Sequence, residues 1–134
     1  MKVAVVGLGL FGRALAVDLA RAGAEVVAVD TDQELIDGVR DDVALAVCLD
    51  ATDERELRAQ GIDKVDVLVA SIGNDFEANQ LLVVLARELG IPKVVARAPS
   101  ANHARILKLL GAHEVVLPEI EVAERTARAL LSGA

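Results

Sequence analysis

Short apolar runs alternate with amphipathic stretches along the whole chain. The runs are rich in β-branched residues and short enough to be buried strands, which we predict at 3–6, 26–29, 44–49, 67–71, 93–98 and 114–117. The stretches between them carry apolar residues at helical intervals, and the one over 75–89 places Leu81, Leu82, Leu85 and Leu89 on a broad apolar face. We predict helices from the first glycine turn to a C-cap at Gly23, from a cap at Thr52 or Asp53 to Gln60, and over 32–40, 75–89, 101–110 and 119–131. Six strands alternating with six helices predict an α/β fold with a parallel sheet covered on both faces.

A glycine-rich turn lies between the first strand and the first helix. Gly7, Gly9 and Gly12 have the spacing G-x-G-x-x-G, and the second strand ends in Asp30, 18 residues beyond Gly12 (30 − 12 = 18). This order of strand, glycine turn, helix, strand and acid is typical of dinucleotide-binding folds. It predicts a Rossmann-type, doubly wound six-stranded sheet in the order 3-2-1-4-5-6, with a ligand at the point where the order reverses.

Each residue of this motif has a physical role in the prediction. Gly7 permits a tight turn, Gly9 lets the backbone approach a pyrophosphate, and Gly12 lets the helix pack closely. The start of the helix offers free N–H groups and a positive dipole end to phosphates. Asp30 accepts hydrogen bonds from ribose hydroxyls and repels a 2′-phosphate, which disfavours NADP.

Two further loops are predicted to lie at the same crevice, because the carboxyl ends of parallel strands meet at one edge of a sheet. The loop after the third strand is Asp50-Ala51-Thr52, and the loop after the fourth is Ile72-Gly73-Asn74. For Asp50 and Thr52, simple helix capping is an equally good interpretation.

Composition narrows the function classes. The chain has 134 residues, which suits a single domain, and its formal net charge of −7 makes nucleic acid a poor partner. No uncharged apolar stretch is long enough for direct membrane insertion. Cys48 is the single cysteine, so it forms no internal disulfide, and it lies in a predicted buried strand, where a thiol is usually a small hydrophobe. A reducing cytoplasm suits this composition.

Catalytic chemistry has little support in the sequence. The chain contains no Tyr, and its two histidines, His103 and His113, lie away from the predicted crevice, where surface or boundary roles suit them better than catalysis. A dehydrogenase also normally carries a substrate domain, which 134 residues do not leave room for.

The whole chain, residues 1–134, resembles the nucleotide-binding RCK domain, also called the KTN or TrkA-N domain, of potassium channels and Trk/Ktr potassium uptake regulators. The order and spacing of several short stretches carry the resemblance. They are Val5 to Gly12, Ala28-Val29-Asp30-Thr31-Asp32, Asp50-Ala51-Thr52-Asp53, Ala70 to Asp75, Arg97-Ala98, Leu109 to Ala112 and Leu117-Pro118-Glu119.

The resemblance implies a cytoplasmic, non-catalytic sensor that binds ATP, ADP or NAD(H) and forms dimers and rings beneath a membrane pore. It implies that Gly7, Gly9 and Gly12 hold phosphates, that Asp30 holds the ribose and that Arg97 reaches the phosphates. Glu119 would help to bind a divalent cation across a dimer. The full cofactor-binding set that we expect is Gly7, Gly9, Leu10, Phe11, Gly12, Asp30, Thr31, Asp50, Ala51, Thr52, Ile72, Gly73, Asn74 and Arg97.

Two departures from the family pattern affect the expectations. Ktr-like members usually carry Arg at the position of Leu10, where it contacts the terminal phosphate. A second, C-terminal RCK domain commonly follows in the family and is absent from these 134 residues, so we expect a stand-alone subunit or a truncated piece. The protein would lie at the inner membrane through a potassium channel or transporter subunit.

The last helix leaves two interpretations open. Its stripe of Ile120, Ala123, Ala127, Leu130 and Leu131 covers the chain's own sheet, or it crosses to a partner in a homodimer, as the family implies. For the function, we expect regulation of potassium transport. The alternatives are a small NAD-dependent oxidoreductase, or a fragment of one, and a structural module with a vestigial site.

Overall fold

A computed structural model describes residues 1–133 and contains one parallel sheet of six strands in the order β3-β2-β1-β4-β5-β6. The predicted Rossmann-type topology is therefore confirmed. The strands are β1 (Lys2–Val6), β2 (Glu25–Asp30), β3 (Leu45–Cys48), β4 (Val67–Ala70), β5 (Lys93–Arg97) and β6 (Glu114–Val116). The helices are α1 (Leu10–Arg21), α2 (Gln33–Val39), α3 (Glu54–Ala59), α4 (Phe76–Glu88), α5 (Ala101–Leu110) and α6 (Pro118–Leu131). Single turns of 3₁₀ helix follow α2 (Arg40–Asp42) and α3 (Ile62–Lys64).

The sheet separates two apolar cores. On one face, α1 and α2 pack over β1 and β2, with Ala16 and Ile36 fully buried. On the other face, α3, α4 and α5 contribute Leu57, Leu82 and Leu107, each 0% exposed. Aliphatic side chains supply almost all of this burial, as expected for a chain with only two Phe and no Trp or Tyr.

Polar caps fix where most helices begin. Asp32, Asp53, Asp75 and Ser100 each accept a hydrogen bond from a backbone N–H in the first turn of α2, α3, α4 and α5. The cap of α3 is thus Asp53 and not Thr52. Gly23 follows the end of α1 with φ of +101° but lies one residue beyond the C-cap, which is Ala22. The glycine still permits the left-handed backbone that ends the helix.

Two predictions about burial are wrong. Cys48 is exposed, because β3 is an edge strand with a neighbour on one side only; its Sγ–H donates to the Thr31 carbonyl over 3.3 Å. On α4, Leu81 is 44% exposed, so it lies outside the face that packs on the sheet, although the sequence places it on one broad apolar face with Leu82, Leu85 and Leu89. That face is centred instead on Leu82, Val83 and Ala86, and it also includes a polar residue, Asn79.

Helix α6 differs from the other long helices because none of its residues is buried. Ile120 is 39% exposed, Leu130 71% and Leu131 88%. The interpretation that its apolar stripe covers the chain's own sheet is therefore wrong. Within residues 1–133, every helix is too short or too polar to span a lipid bilayer.

Candidate nucleotide-binding site

The glycine turn between β1 and α1 is closely packed at two positions and open at the third. Gly7 has φ of +96°, and a Cβ there would lie 2.4 Å from the Ser71 carbonyl oxygen. A Cβ on Gly12 would lie 1.9 Å from the Gly7 carbonyl oxygen. Both positions exclude any side chain, which confirms the predicted tight turn and close helix packing. A Cβ on Gly9 would meet nothing within 4 Å, so open space lies above this residue.

The start of α1 is left without a polar cap. Gly9 is its N-cap and offers no side chain, whereas aspartate or serine caps α2, α3, α4 and α5. The first N–H groups of a helix have no partner within the helix, so those of Leu10, Phe11 and Gly12 remain free to bind a ligand. Together with the helix dipole they favour an anion above Gly9.

Asp30 connects the end of β2 to the glycine turn. One carboxylate oxygen accepts a hydrogen bond from the Leu8 N–H at 2.8 Å, and the other accepts from the Asp32 N–H at 2.9 Å. A carboxylate has about four acceptor positions, so the remaining ones can still accept from ribose hydroxyls. Asp30 therefore orders the turn in addition to the role predicted from the sequence.

Asp50 and Thr52 form a local turn after β3. Asp50 accepts hydrogen bonds from the Thr52 hydroxyl at 2.6 Å and from the Thr52 N–H at 2.9 Å. The hydroxyl, and then the N–H, lower the pKa of the Asp50 carboxyl, which stays ionised near neutral pH. Neither residue caps α3, so the capping interpretation is wrong for both, and Asp50 keeps its second oxygen as a charged acceptor.

Two polar residues that the sequence analysis did not select hold the loops together. Ser71, at the end of β4, is 4% exposed, and its hydroxyl contacts the carbonyl oxygens of Val6 and Gly7 at 2.9 and 2.8 Å. Asn79 is 1% exposed; it accepts from the Ile72 N–H and donates to the Arg97 carbonyl. For Ser71, a polar residue at the end of an apolar run was the available signal, whereas Asn79 stands between Ala78 and Gln80 and gives no such signal.

The predicted residues surround two cavities of about 570 Å³ each, a size typical of small-molecule sites. The first cavity lies over the ends of β1, β2, β3 and β4. Its lining includes Gly7, Gly9, Asp30, Thr31, Asp50, Ala51, Thr52, Ile72, Gly73 and Asn74. The second lies between the start of α1 and the start of α6, and its lining includes Gly9, Leu10, Phe11, Gly12, Gly73, Arg97 and Glu119. Gly9, Ser71 and Gly73 line both, so the two cavities adjoin.

Arg97 and Glu119 form an ion pair beside the second cavity. Glu119 receives a hydrogen bond from its own backbone N–H and then one from Arg97, and both lower the pKa of its carboxyl. Residues 1–133 contain no group of three His, Cys, Asp or Glu side chains that could hold a metal ion. The cation at Glu119 stays a prediction.

Neither histidine lines either of these two cavities. His103 packs edge-on against Phe76, with ring centroids 4.1 Å apart, and its Nδ1 lies 2.7 Å from the Ser100 hydroxyl. His113 accepts a hydrogen bond from the Val94 N–H through Nδ1 at 2.9 Å. Both imidazoles are engaged in structural contacts.

Sheet order and glycine turn together define a Rossmann-type α/β domain. The chain belongs to the TrkA-N domain family, whose model matches residues 3–118.

Known relatives and structures agree with this family. The chain is 34% identical over 129 residues to the Ktr system potassium uptake protein A of Bacillus subtilis, covering 96% of this chain and 58% of that protein. It is 36% identical over 120 residues to a Trk system potassium uptake protein TrkA homologue of Methanothermobacter thermautotrophicus, covering 89% of this chain and 55% of the relative. The chain thus spans little more than half the length of these curated relatives.

Among solved structures, the RCK domain of GsuK is 29% identical, with a TM-score of 0.74, covering 86% of this chain and 24% of that one. The NAD(P)-binding domain of an exopolyphosphatase-related protein from Archaeoglobus fulgidus is 27% identical, with a TM-score of 0.82 and 97% of both chains covered. These structures share the fold described here.

Proposed function

We propose that this chain is a nucleotide-sensing regulatory domain of a potassium uptake system or channel, and that it binds ATP, ADP or NAD(H) at the carboxyl edge of its sheet. The observation that carries the proposal is that the start of α1 has no side-chain cap and lies beneath the open space at Gly9. Asp30 lines the cavity that Gly9 also lines. The family, and the potassium uptake relatives, supply the biological setting.

The chemistry of the two cavities suits an adenine nucleotide. In this arrangement the ribose hydroxyls bind Asp30, and the base edge lies against the loop of Asp50, Ala51 and Thr52. The ionised Asp50 carboxylate is an acceptor for an exocyclic amino group. Phosphates bind above Gly9. Arg97 lines the adjoining cavity, where its guanidinium can bind phosphates that extend beyond Gly9.

Because of Leu10, the site lacks a positive charge at the start of α1. Its side chain is 93% exposed at the first position of α1 and carries no charge for a terminal phosphate. We therefore expect ATP and ADP to bind with affinities within about tenfold, a difference of about 1.4 kcal/mol or less. NAD(H) becomes a strong competitor, because its second half needs no contact with a triphosphate.

A homodimer completes the proposal. Helix α6 buries none of its residues, while Val95 and Val116 on β5 and β6 stay half-buried. By contrast, Val94 and Ala96, which point to the opposite face of β5, are 0% exposed. A second copy whose α6 lies over this half-covered face would bury both surfaces at once, and higher rings can be built from such dimers.

The remaining parts of the proposal follow from the family setting. The domain would lie in the cytoplasm, peripheral to the inner membrane through a potassium channel or transporter subunit, and pass nucleotide-dependent changes of shape to that pore. A divalent cation would bind with the nucleotide near Glu119. We infer binding without catalysis, because both imidazoles are engaged in structural contacts and the relatives are potassium uptake proteins.

Calorimetric titration of the purified chain with ATP, ADP and NADH tests the proposal. We expect saturable binding of at least one of them, with ATP and ADP within about tenfold of each other. A hundredfold preference for ATP over ADP would contradict our interpretation of Leu10. Oxidation of bound NADH by a panel of carbonyl compounds would favour the oxidoreductase alternative, and failure to bind any nucleotide would favour a vestigial site.

A further inference from the structure

Strands β4 and β5 stop pairing with each other at the carboxyl edge of the sheet. Their last paired residues are Ala70 and Ala96. Beyond this pair, the Ser71 N–H still binds β1 and the Ala98 N–H still binds β6. Each strand thus stays with its outer neighbour, next to the two cavities, after it has separated from the other.

The side-chain amide of Asn79 lies between the separated strand ends. If β4 and β5 stayed in register, the next hydrogen bond from β4 to β5 would run from the Ile72 N–H to the Arg97 carbonyl. Instead, Oδ1 of Asn79 accepts from the Ile72 N–H at 2.9 Å, and Nδ2 donates to the Arg97 carbonyl at 3.4 Å. The amide is therefore inserted into the ladder in place of one backbone hydrogen bond.

Asn79 is well placed to hold this position. It lies in the first turn of α4, whose start is capped by Asp75, and it is 1% exposed. A buried amide that loses a partner is left with an unsatisfied polar group, so both of its hydrogen bonds hold it between the strands. Its side chain lies outside the linings of both cavities, and it can act on a ligand only through the backbone that it positions.

The backbone that Asn79 separates from β5 forms the wall shared by the two cavities. Gly73 follows Ile72 and lines both of them. A Cβ on Gly73 would lie 3.4 Å from a terminal nitrogen of Arg97, so the loop already lies against this side chain. A direct hydrogen bond between Ile72 and Arg97 would draw the two strand ends together and displace the shared wall.

We propose that Asn79 is a positioning residue for the nucleotide. Its inserted amide keeps the carboxyl ends of β4 and β5 apart, and so holds the loop Ile72-Gly73-Asn74 where the ligand needs it. This inference rests on the nucleotide site proposed above. In Asn79→Ala the two backbone groups can bond each other directly, so the sheet gains a hydrogen bond while the loop moves towards β5.

Calorimetry of Asn79→Ala with ADP and with NADH tests the proposal, at a temperature where the variant is folded. Val83→Ala is the matched control, because Val83 is 0% exposed one turn further along α4 and lies outside both linings. We expect Asn79→Ala to lose affinity for both nucleotides at least ~10-fold, since binding groups must be held within about 0.5 Å of their bound geometry. Val83→Ala should be less stable but bind normally. Equal affinities of the two variants would overturn the proposal.

A measurement without ligand tests the inserted amide by itself. In NMR, a coupling through the hydrogen bond should join the Ile72 amide nitrogen to the side-chain carbonyl carbon of Asn79 in the unmodified chain. In Asn79→Ala, the coupling should run to the backbone carbonyl carbon of Arg97. A coupling to Arg97 that is already present in the unmodified chain would overturn the proposal, because the strands would then not be held apart.

A second variant, Asn79→Asp, keeps the acceptor for the Ile72 N–H. When ionised it has no donor for the Arg97 carbonyl, whereas the neutral carboxyl regains one, and burial favours the neutral form. Relative to the unmodified chain, its affinity should be lower at about pH 8 and recover at about pH 5.5. A deficit of the same size at both pH values would overturn the proposal. If the unmodified chain shows the coupling to Asn79 but binds neither nucleotide, the proposed nucleotide site is wrong, and this inference falls with it.

Discussion

Helices α1 and α6 are both amphipathic and of similar length, 12 and 14 residues, but only α1 buries residues in the domain. Helix α1 packs so closely that a Cβ on Gly12 would clash with the Gly7 carbonyl oxygen, and it buries Ala16 completely. Helix α6 buries nothing. Helical periodicity thus shows that a helix has an apolar face. Whether this face packs on its own chain or on a partner depends on which surfaces the rest of the fold leaves uncovered.

The largest effect should come from Gly12→Ala. The added Cβ would lie 1.9 Å from the Gly7 carbonyl oxygen and 2.8 Å from the Ser71 hydroxyl, so α1 must move away from the sheet. We expect the free energy of unfolding in urea to fall by about 3 kcal/mol, as overpacking of a rigid contact requires. Gly38→Ala is the control, because its Cβ would make an ordinary contact at 3.9 Å with Arg13. Equal stability of the two variants would show that the packing of α1 is looser than described.

The next effect concerns α6, where polar substitutions should leave the fold intact and break the dimer. Changing both Ile120 and Leu130 to Asp should weaken dimerisation at least ~100-fold in sedimentation, because charges would then lie in an apolar contact. Leu109→Asp, at a position on α5 that is 81% exposed, serves as the control and should leave the dimer unchanged. A monomeric unmodified chain at micromolar concentration would contradict the role given to α6.

Asp50→Asn should produce the smallest effect, and the size of this effect should depend on pH. The pKa of the Asp50 carboxyl is lowered in the folded chain, so its contribution to stability is present above the ordinary value of 3.8 and is lost as the pH falls through the lowered value. Because the group is largely exposed, we expect Asn to cost about 0.5 kcal/mol at pH 7 and progressively less as the pH falls below 3.8. Thermal melts across this range measure the difference. Glu121→Gln on α6 should show no such pH dependence, and a loss for Asp50→Asn that persists at low pH would contradict this assignment.

The sequence predicted the element order, the strand order and many of the residues that line the two cavities, because glycine spacing and strand-end acids follow from backbone geometry. It failed where burial depends on neighbours in space. Cys48 is exposed because β3 is an edge strand, which a local apolar run does not reveal. Ser71 and Asn79 join loops that are distant in the sequence, so their contacts become visible only once the sheet is assembled.

The same limit explains the double role of Asp30. Its position after β2 predicted an acceptor for ribose, but its hydrogen bond to the Leu8 N–H depends on the closeness of β1 and β2 in the sheet. Removal of the Asp30 side chain would therefore disturb the turn as well as the ligand. Gly9 offers a cleaner test, since nothing in the chain touches the space above it.

The most direct test of the central claim is calorimetric titration of Gly9→Val with the nucleotide that the unmodified chain binds best. The backbone at Gly9 has φ of −67°, which any residue can adopt, and its Cβ would meet no atom within 4 Å. Stability should therefore stay within about 0.5 kcal/mol of the unmodified chain, as for an ordinary surface substitution.

The branched side chain would occupy the space assigned to the phosphates, so affinity should fall at least ~100-fold, or about 2.7 kcal/mol. Gly38→Val, at an exposed position of α2 away from both cavities, should bind normally. A Gly9→Val variant that is folded and binds its nucleotide as tightly as the unmodified chain would show that the phosphates do not lie at the start of α1.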